Sequence, residues 1–333
     1  MKVAVVRDFD QPLRIEEWPD PQPVGEQVVV QVAAAGMCHT DLHLLHWRNR
    51  PLPLVPGHEI AGHAEGFGPV LVHQSWGCGH CVQCAAGNEQ LCPDVREAGF
   101  ELPGGYAEKV LVPSPRYLIP LDGLRPERAA PLTDAGVTSY RAVRRAAGYL
   151  AAGDVAVVIG VGGLGQFAVQ FLRLLTEATV IAVDLDPDKR RRAVELGAHL
   201  AVPPQELDAQ VSAVLDFVTE DDTLALAARV VRAGGLIMRI GSGNGSLPFG
   251  RGGVVPPEVT FTSARGGSLA DVRAVLEYAR RGELQWEIET LPLEQVNLGL
   301  DRLRRGQVAG RLVLTPGESW AHRSAEDRSG GER

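Results

Sequence analysis

The sequence predicts an α/β protein, with a β-rich first part followed by a doubly wound parallel sheet. Strand-like runs such as Val28–Val32 occur in the first 130 residues and are punctuated by Pro and Gly. From about Thr138 onward, short apolar runs alternate with helical patterns. A glycine-rich loop joins the first of these apolar runs to the helix after it, which is typical of a βαβ succession.

The alternation after Thr138 predicts the elements of the second part in order. Val155–Ile159 is a short apolar run typical of a buried strand, and Gln166–Leu175 has the pattern of a helix. The succession continues with strand Val180–Val183, helix Asp188–Leu196, strand Val214–Phe217, a helix that runs through Arg232, strand Leu236–Ile240, a helix with an apolar face from Leu269 to Ala279 and, after Leu291, another helix and strand Arg311–Leu314.

Length and charge limit the class of function. A chain of 333 residues is long enough for about two domains. The net charge of −8 disfavours binding to nucleic acid. No apolar run approaches the roughly 18 residues that a membrane helix needs, and no apolar signal segment follows Met1. We therefore expect a cytoplasmic protein without nucleic-acid or membrane partners.

Four of the five cysteines lie within fifteen residues, at Cys78, Cys81, Cys84 and Cys92. Thiolates at this spacing can surround one tetrahedral Zn²⁺, and four of them leave no open position for chemistry. The alternative is a pair of disulfides, which the expected cytoplasmic location disfavours. The spacing thus predicts a structural zinc.

The glycine-rich loop has the dinucleotide-binding pattern and carries Gly160, Gly162, Gly163 and Gly165. Because it follows a strand and opens a helix, we expect its backbone N–H groups to bind a pyrophosphate. The alternative is a tight turn without a ligand.

The nucleotide is predicted to be NAD. Asp184 ends the second strand, nineteen residues after Gly165, and an acid there can bind ribose hydroxyls and repel a 2′-phosphate. Lys189 and Arg190 lie nearby and leave NADP as the alternative, because a basic residue can receive a phosphate.

A second metal site is suggested by Cys38 and His58. A catalytic zinc has three protein ligands and one open position, and these residues supply two ligands. Each residue also has an alternative interpretation without a metal. Cys38 could be an unreactive thiol in the core, and His58 could be a histidine in a turn with its hydrogen bonds satisfied.

Taken together, the motifs resemble those of the zinc-dependent alcohol dehydrogenases of the medium-chain dehydrogenase/reductase superfamily. The resemblance covers about residues 1–315. It rests on the cysteine quartet, Cys38-His-Thr-Asp41, Gly57-His-Glu59, Gly105-Tyr-Ala-Glu108 and the glycine-rich loop, in this order.

This resemblance implies a GroES-like catalytic domain and a Rossmann cofactor domain, with the active site in the cleft between them. We expect the catalytic domain over 1–137 with a zinc lobe at 76–94, the Rossmann domain over 138–285, a return to the catalytic domain over 286–316 and a disordered tail over 317–333.

The resemblance also implies a third ligand for the catalytic zinc. Many members have a cysteine that opens a Cys-Ala-Gly-x-Thr stretch, and this chain has Asp134 at that position. Thiolate, neutral imidazole and carboxylate would neutralise Zn²⁺ as well as two thiolates and an imidazole do. The alternative is that Asp134 caps the helix that follows.

Other roles follow from the same resemblance. Thr40 would pass a proton from the substrate oxygen, and His43 would be the terminal acceptor, or else an exposed histidine at the start of a helix. Asp41 would orient His58. Glu59 would lie near the zinc or, alternatively, form a structural ion pair with Arg311.

Several positions align with residues that bind the cofactor in members of the family. His39 and Arg311 align with pyrophosphate contacts, and Thr138 and Leu164 with residues near the nicotinamide. Together with the loop glycines, Asp184 and Lys189, they form the predicted cofactor site.

The chain departs from the family in three places. The segment between His58 and Cys78 and the stretch before Asp216 are short, and Thr219 replaces a glycine that is usual after Asp-Phe-Val. None of these changes removes a predicted ligand.

The sequence therefore predicts an oxidoreductase with two Zn²⁺ per chain that transfers hydride between a small primary or secondary alcohol, or its carbonyl product, and NAD. We expect a homodimer or homotetramer. The alternatives are a polyol or biosynthetic alcohol dehydrogenase, a catalytically silent NAD-binding scaffold and a metal-free quinone or enone reductase. The last lacks support, because such relatives have neither set of zinc ligands.

Overall fold

The computed structural model describes residues 1–248 and 253–317, and the chain divides into two compact units. The first unit begins with Met1–Asp134 and resumes with Ser268–Leu276 and with the residues from Glu287 onward. The second consists of Ala135–Gly267 and Glu277–Trp286. The predicted disordered tail lies, from residue 318 onward, outside the described residues.

The strands, in chain order, are β1 Lys2–Val5, β2 Arg14–Glu17, β3 Val28–Gly36, β4 Glu59–Ala64, β5 Gly68–Val72, β6 Ser75–Trp76, β7 Arg96–Glu97, β8 Lys109–Val112, β9 Leu118–Pro120, β10 Val155–Ile159, β11 Thr179–Val183, β12 Leu200–Val202, β13 Val211–Asp216, β14 Val231–Arg239, β15 Thr260–Ser263, β16 Ile288–Pro292 and β17 Arg311–Thr315.

The α-helices are α1 His39–Leu44, α2 Val82–Ala85, α3 Pro126–Ala129, α4 Ala135–Ala146, α5 Gly165–Leu175, α6 Pro187–Glu195, α7 Asp221–Val230, α8 Leu269–Arg280 and α9 Val296–Arg304. Over the described part of the chain, none of them has both the length and the hydropathy that a membrane crossing needs.

The first unit is built on a seven-stranded sheet with the order β16-β17-β3-β4-β5-β9, in which β8 also pairs with β3. Its long strand β3 ends in a run of small residues, Ala33–Gly36, which lets neighbouring segments of the chain approach it closely. The core beneath the sheet is apolar and includes the fully buried Val30, Ile60, Val72 and Tyr106. Cys38 lies two residues after β3 and His58 directly precedes β4, so this sheet positions two of the predicted zinc ligands.

The shortened segment after His58 forms a tight hairpin between β4 and β5. Ala64 pairs with Gly68, so only three residues make the turn. Gly66 has a φ of +77° and Gly68 one of +73°, values that a glycine adopts without steric cost. The chain is therefore shortened at a hairpin tip, and both strands keep their pairing.

The second unit is a six-stranded parallel sheet with the order β12-β11-β10-β13-β14-β15. The central strands β10 and β13 are almost entirely buried, as expected for a parallel sheet covered on both faces. The strand order reverses direction beside β10, and the glycine-rich loop follows that strand. Ligands of doubly wound sheets bind at such a switch point.

The predicted fold class is confirmed, and the strand predicted at Val155–Ile159 has the observed bounds. The helix predicted through Arg232 is wrong at its end, because α7 stops at Val230 and β14 begins at Val231. Val231 is fully buried and pairs with Val211 of β13. This pairing outweighs the local helical pattern.

The backbone conformation at Thr219 is one that glycine adopts more easily. Its φ is +65°, in the left-handed region that a β-branched residue rarely adopts. Two N–H groups, of Val218 and Thr219, each donate to Asp216 Oδ1 at 2.9 Å and hold the turn in place. The Thr219 hydroxyl lies 3.4 Å from the Asp216 carbonyl, which is a weak compensating contact.

We predict that Thr219→Gly leaves the free energy of unfolding unchanged or raises it by up to about 1 kcal/mol. Relief of left-handed strain is worth about 1–2 kcal/mol, and the greater freedom of glycine in the unfolded chain offsets part of it. Denaturant unfolding measures the difference. Thr219→Val is the matched control, because it keeps the strain and removes the hydroxyl. Marked destabilisation by glycine, with valine harmless, would contradict the prediction.

Candidate metal centres and cofactor loop

Cys38 stands at the start of α1 and is buried. Its backbone N–H donates to Asp41 Oδ2 at 2.9 Å, so the carboxylate caps the helix and fixes the position of the thiol. The same oxygen accepts a hydrogen bond from the buried Tyr106 hydroxyl at 2.7 Å. Two buried donors therefore hold Asp41 in one orientation.

His58 enters the site because of the glycine before it. Gly57 has a φ of +95°, and a Cβ there would lie 2.5 Å from the ring of Tyr106. Only glycine fits both constraints. The imidazole of His58 is buried, and its Nδ1 lies 3.4 Å from Asp41 Oδ1. Neither of these two atoms has a hydrogen-bond partner among the described residues, and the orienting role of Asp41 stays a prediction.

Asp134 reaches the same point from another part of the chain. It follows the 3₁₀ turn Ala130–Thr133 and directly precedes α4. Its Oδ2 lies 3.5 Å from Cys38 Sγ and 3.4 Å from His58 Nε2, and its side chain is 13% exposed. The residue does stand at a helix start, but this oxygen faces the thiol and the imidazole.

Glu59 completes the group, since one ligand atom from each of Cys38, His58, Glu59 and Asp134 lies within 4.8 Å of the others. Its Oε1 accepts a hydrogen bond from the buried Arg311 guanidinium. A Cβ at Gly36, its partner in the sheet, would lie 1.8 Å from Glu59 Oε2. The glycine at the end of β3 therefore makes room for a buried carboxylate.

The electrostatics of the group favour a cation. Burial raises the pKa of the Cys38 thiol, and the Asp134 charge raises it further. Burial lowers the pKa of His58, but Asp41 and Asp134 outweigh this and hold it well above its ordinary value. Burial raises the pKa of Glu59 to about 7, although Arg311 opposes the shift. Negative charges here are costly unless positive charge is added.

The donor set fits zinc. A tetrahedral zinc with bonds of about 2.3 Å to sulfur and about 2.0–2.1 Å to nitrogen or oxygen sets its ligand atoms about 3.3–3.6 Å apart. The observed separations from Asp134 Oδ2 are 3.4 and 3.5 Å. Thiolate and carboxylate balance the charge of Zn²⁺, and Arg311 balances Glu59. Three ligands would leave one position open.

The cysteine lobe brings its four sulfurs within 4.8 Å of one another. Cys81 Sγ and Cys92 Sγ are 3.7 Å apart, close to the separation of about 3.8 Å for two thiolates on one zinc. All five cysteines of the chain are free thiols, which excludes the alternative of disulfides.

The lobe stabilises thiolates with its backbone. N–H groups of His80 and Cys81 point at Cys78 and lower the pKa of that thiol to about 6. Burial among the other sulfurs raises the pKa of Cys84 to about 12. A bound dication would remove this asymmetry, because it favours the thiolate at every position.

In the second unit, the glycine-rich loop opens α5 at Gly165. Gly160 has a φ of +84°, and a Cβ at Gly165 would lie 1.9 Å from the Gly160 carbonyl oxygen. These two glycines are thus required by the turn and by the close packing of the helix against it. Gly162 has open space around it, as a loop that binds a ligand needs.

Asp184 lies beside this loop and accepts hydrogen bonds from the N–H groups of Val161 at 2.8 Å and Asp186 at 2.9 Å. The Arg190 guanidinium donates to the carbonyl oxygens of Asp184 and Leu185. Arg190 is therefore folded onto the backbone at the end of β11, and Lys189 is half-buried beside it.

The remaining predicted residues fall in both units. Thr40 and His43 are half-buried on α1, three residues apart, and Thr40 Oγ1 lies 3.6 Å from Cys38 Sγ. His39 is exposed on the same helix. In the second unit, Thr138 is buried on α4 and Leu164 directly precedes α5.

No role for Tyr106 or Gln74 follows from the sequence. Tyr106 belongs to the Gly105–Glu108 motif, yet its hydrogen bond with Asp41 is not visible in the sequence. Gln74 follows β5, and its amide nitrogen lies 3.5 Å from Asp134 Oδ1. A single glutamine in a shortened segment carries no signal that reasoning from sequence can detect.

Two protein families match the chain. Residues 25–123 match the alcohol dehydrogenase GroES-like domain, and residues 163–281 match the zinc-binding dehydrogenase family.

Similar proteins match over nearly their full length. An alcohol dehydrogenase of Geobacillus stearothermophilus is 34% identical over 94% of this chain and 99% of the relative. An NAD-dependent alcohol dehydrogenase of Sulfurisphaera tokodaii is 33% identical over 95% of this chain and 100% of the relative. The crystal structure of the alcohol dehydrogenase of Aeropyrum pernix superposes with a TM-score of 0.89 at 34% identity, covering 95% of this chain and all of the other.

We predict that Cys84→Ala removes the zinc of the lobe and lowers the melting temperature, because three thiolates bind zinc less tightly than four. The Cys38 site is built from other segments, so turnover of the remaining folded protein is expected to be unaltered. Thermal unfolding, zinc content and activity on one preparation measure all three. An unchanged melting temperature together with unchanged zinc content would contradict the prediction.

Proposed function

Because this chain belongs to the zinc-dependent alcohol dehydrogenases of the medium-chain dehydrogenase/reductase superfamily, we propose that it oxidises small primary or secondary alcohols with NAD at the Cys38 site. The observation that carries the proposal is the convergence of Cys38, His58 and Asp134 within the separations of a three-ligand zinc site. Zinc there supplies a Lewis acid for the alcohol oxygen, and NAD accepts the hydride.

The protein's own part begins with the ligands. Cys38, His58 and Asp134 would hold the metal. Asp41 Oδ1 lies 3.4 Å from His58 Nδ1, where it would favour the tautomer that carries its proton on Nδ1 and leaves Nε2 for the metal. Tyr106 keeps Asp41 in this orientation through its 2.7 Å hydrogen bond.

The substrate proton leaves through α1. Residues three apart lie on one face of a helix, so the Thr40 hydroxyl and the His43 imidazole are on the same side. Thr40 Oγ1 would take the proton from the alcohol oxygen while releasing its own hydroxyl proton, and His43 would be the terminal acceptor of the relay, since an imidazole titrates near neutral pH.

Glu59 has a supporting role. Its Oε1 is bound to Arg311, while Oε2 has no hydrogen-bond partner among the described residues. Oε2 is the atom that can approach the metal when water and substrate exchange. Arg311 thus acts through Glu59, in addition to the pyrophosphate contact that the sequence suggests.

The cofactor is held by the second unit. N–H groups of the Gly160–Gly165 loop receive the pyrophosphate, and Asp184 receives the adenosine ribose. Thr138 and Leu164 would lie near the nicotinamide, and Lys189 would supply positive charge to the nucleotide. His39 of the first unit aligns with a pyrophosphate contact in relatives. We also propose that the protein is cytoplasmic, which its free thiols support, and that it forms a homodimer or homotetramer, as the family resemblance suggests.

A catalytically silent scaffold is the second candidate. Metal analysis, coupled to a panel of alcohols and ketones with NAD(H) and NADP(H), separates the two. The enzyme is expected to contain two zincs per chain and to reduce NAD⁺ with at least one small alcohol. One zinc per chain and no turnover across the panel would favour the scaffold. Polyols in the panel test the remaining alternative substrate class.

We predict that Cys38→Ser and Asp134→Ala each reduce zinc from two to one per chain and lower kcat/KM by about a thousandfold or more. Lewis-acid stabilisation supplies several kcal/mol of the barrier reduction, which corresponds to this factor. Cys84→Ala is the matched control, since it also loses one zinc but keeps its chemistry. Full turnover in either ligand variant would show that the mechanism is wrong.

We predict that Asp184→Asn shifts the preference from NAD towards NADP by about tenfold or more in the ratio of kcat/KM values. The amide keeps the size of the side chain and removes the charge that repels a 2′-phosphate, a difference of about 1.4 kcal/mol or more. Asp186→Asn, which removes a neighbouring charge and still caps α6, is the control. Equal shifts in both variants would indicate a general charge effect only.

A further inference from the structure

We propose that Gln74 is a positioning residue for the catalytic metal and that it is needed because the third ligand of this chain is a carboxylate. The proposal rests on the assignment of Asp134 as a zinc ligand. The Gln74 amide nitrogen lies 3.5 Å from Asp134 Oδ1, the oxygen opposite to the one that faces Cys38 and His58.

A carboxylate ligand creates a requirement that a thiolate ligand does not. Cysteine presents a single sulfur to the metal, whereas aspartate that binds through Oδ2 leaves Oδ1 pointing into the protein. An anionic oxygen in a nearly buried position is costly without a donor. Gln74 supplies a neutral N–H donor, which stabilises the oxygen and adds no charge to the balanced metal site.

The backbone holds the two residues in a fixed relation. Thr133, directly before Asp134, donates its hydroxyl to the Val72 carbonyl at 2.8 Å. His73 donates its backbone N–H to the Tyr117 carbonyl at 2.8 Å, and its own carbonyl accepts the Trp76 indole N–H at 2.7 Å. Gln74 directly follows these anchored residues, so its backbone and that of Asp134 are held in a fixed relation.

Packing alone does not explain a glutamine at position 74. Its side chain is 7% exposed, and its Oε1 has no hydrogen-bond partner among the described residues. An unsatisfied buried polar atom lowers the free energy of unfolding by about 1–3 kcal/mol. A leucine would fill similar space without such an atom. A buried amide retained beside a ligand carboxylate is more easily explained by the ligand than by stability.

The contact therefore acts on Asp134 and through it on the metal. With the Gln74 amide 3.5 Å from Oδ1, the carboxylate would present Oδ2 alone to the metal, which would leave a coordination position for substrate. Loss of this contact would make Asp134 a less well oriented ligand. Loss of such a supporting contact typically weakens metal binding by about 10–100-fold.

The test measures zinc affinity at the catalytic site by titrating the full-length holoenzyme against a chelator, with metal retained per chain as the readout. Cys38→Ser identifies which of the two release steps belongs to the catalytic zinc. Gln74→Leu is expected to lose zinc from that site about 10–100-fold more readily, with an unfolding midpoint unchanged or raised in the zinc-free protein. Catalytic zinc affinity within twofold of the parent overturns the proposal, and so does a loss explained by a lower midpoint.

A double-mutant cycle with Asp134→Cys makes the test specific. Because cysteine has no second oxygen, Gln74→Leu is expected to change zinc affinity by less than about twofold in the cysteine background. Equal losses in both backgrounds would overturn the proposal.

Gln90→Leu is the matched control, since Gln90 is a buried glutamine of the same unit whose amide has no hydrogen-bond partner among the described residues. If Asp134→Cys failed to bind zinc, the double-mutant cycle could not be read, and zinc loss from Gln74→Leu would be compared with zinc loss from Gln90→Leu instead. A loss at the catalytic site that Gln74→Leu shows and Gln90→Leu lacks supports the proposal, and a shared loss overturns it. Retention of two zincs by Asp134→Ala would instead refute the ligand assignment beneath it.

Discussion

The concentration of buried negative charge around Cys38 is the constraint on which the rest of the first unit depends. A thiol, three carboxyl groups and a histidine lie together where water is largely excluded, and negative charge there must be compensated. Arg311 compensates Glu59, and hydrogen bonds from the Cys38 N–H and the Tyr106 hydroxyl stabilise Asp41. The proposed dication would compensate the Cys38 thiolate and the Asp134 carboxylate. Gly36 and Gly57 are the positions that make this crowding sterically possible.

The two predicted metal centres show how ligand chemistry separates structure from reaction. The lobe has four sulfurs and backbone N–H groups that already favour a thiolate at Cys78. Four thiolates on one zinc would leave no position for a substrate. The three ligands proposed at the Cys38 site are of different kinds, and each has a neighbour that can position it: the Asp41 carboxylate lies near His58 and accepts the Cys38 N–H, and the Gln74 amide lies near Asp134.

The departures of this chain from its relatives have local explanations. The shortened segment ends in a three-residue hairpin turn that leaves β4 and β5 paired, so the strand that begins with Glu59 keeps its position. Thr219 tolerates its left-handed conformation because Asp216 holds the turn with two hydrogen bonds. The error in the predicted end of α7 has the opposite origin, since there a long-range strand pairing overrides local propensity.

The sequence by itself determined the fold class, the metal and nucleotide motifs and the bounds of a strand such as β10, because each depends on residues close together in the chain. Cysteine spacing, a glycine loop after an apolar strand and the period of apolar residues are local signals. Only the tertiary structure decided which oxygen of Asp134 faces the thiol, that Glu59 is bound to Arg311, and that Tyr106 and Gln74 support the site. These contacts join residues 60 to 252 positions apart, and no local pattern encodes which side chains sheet pairing and close packing bring together.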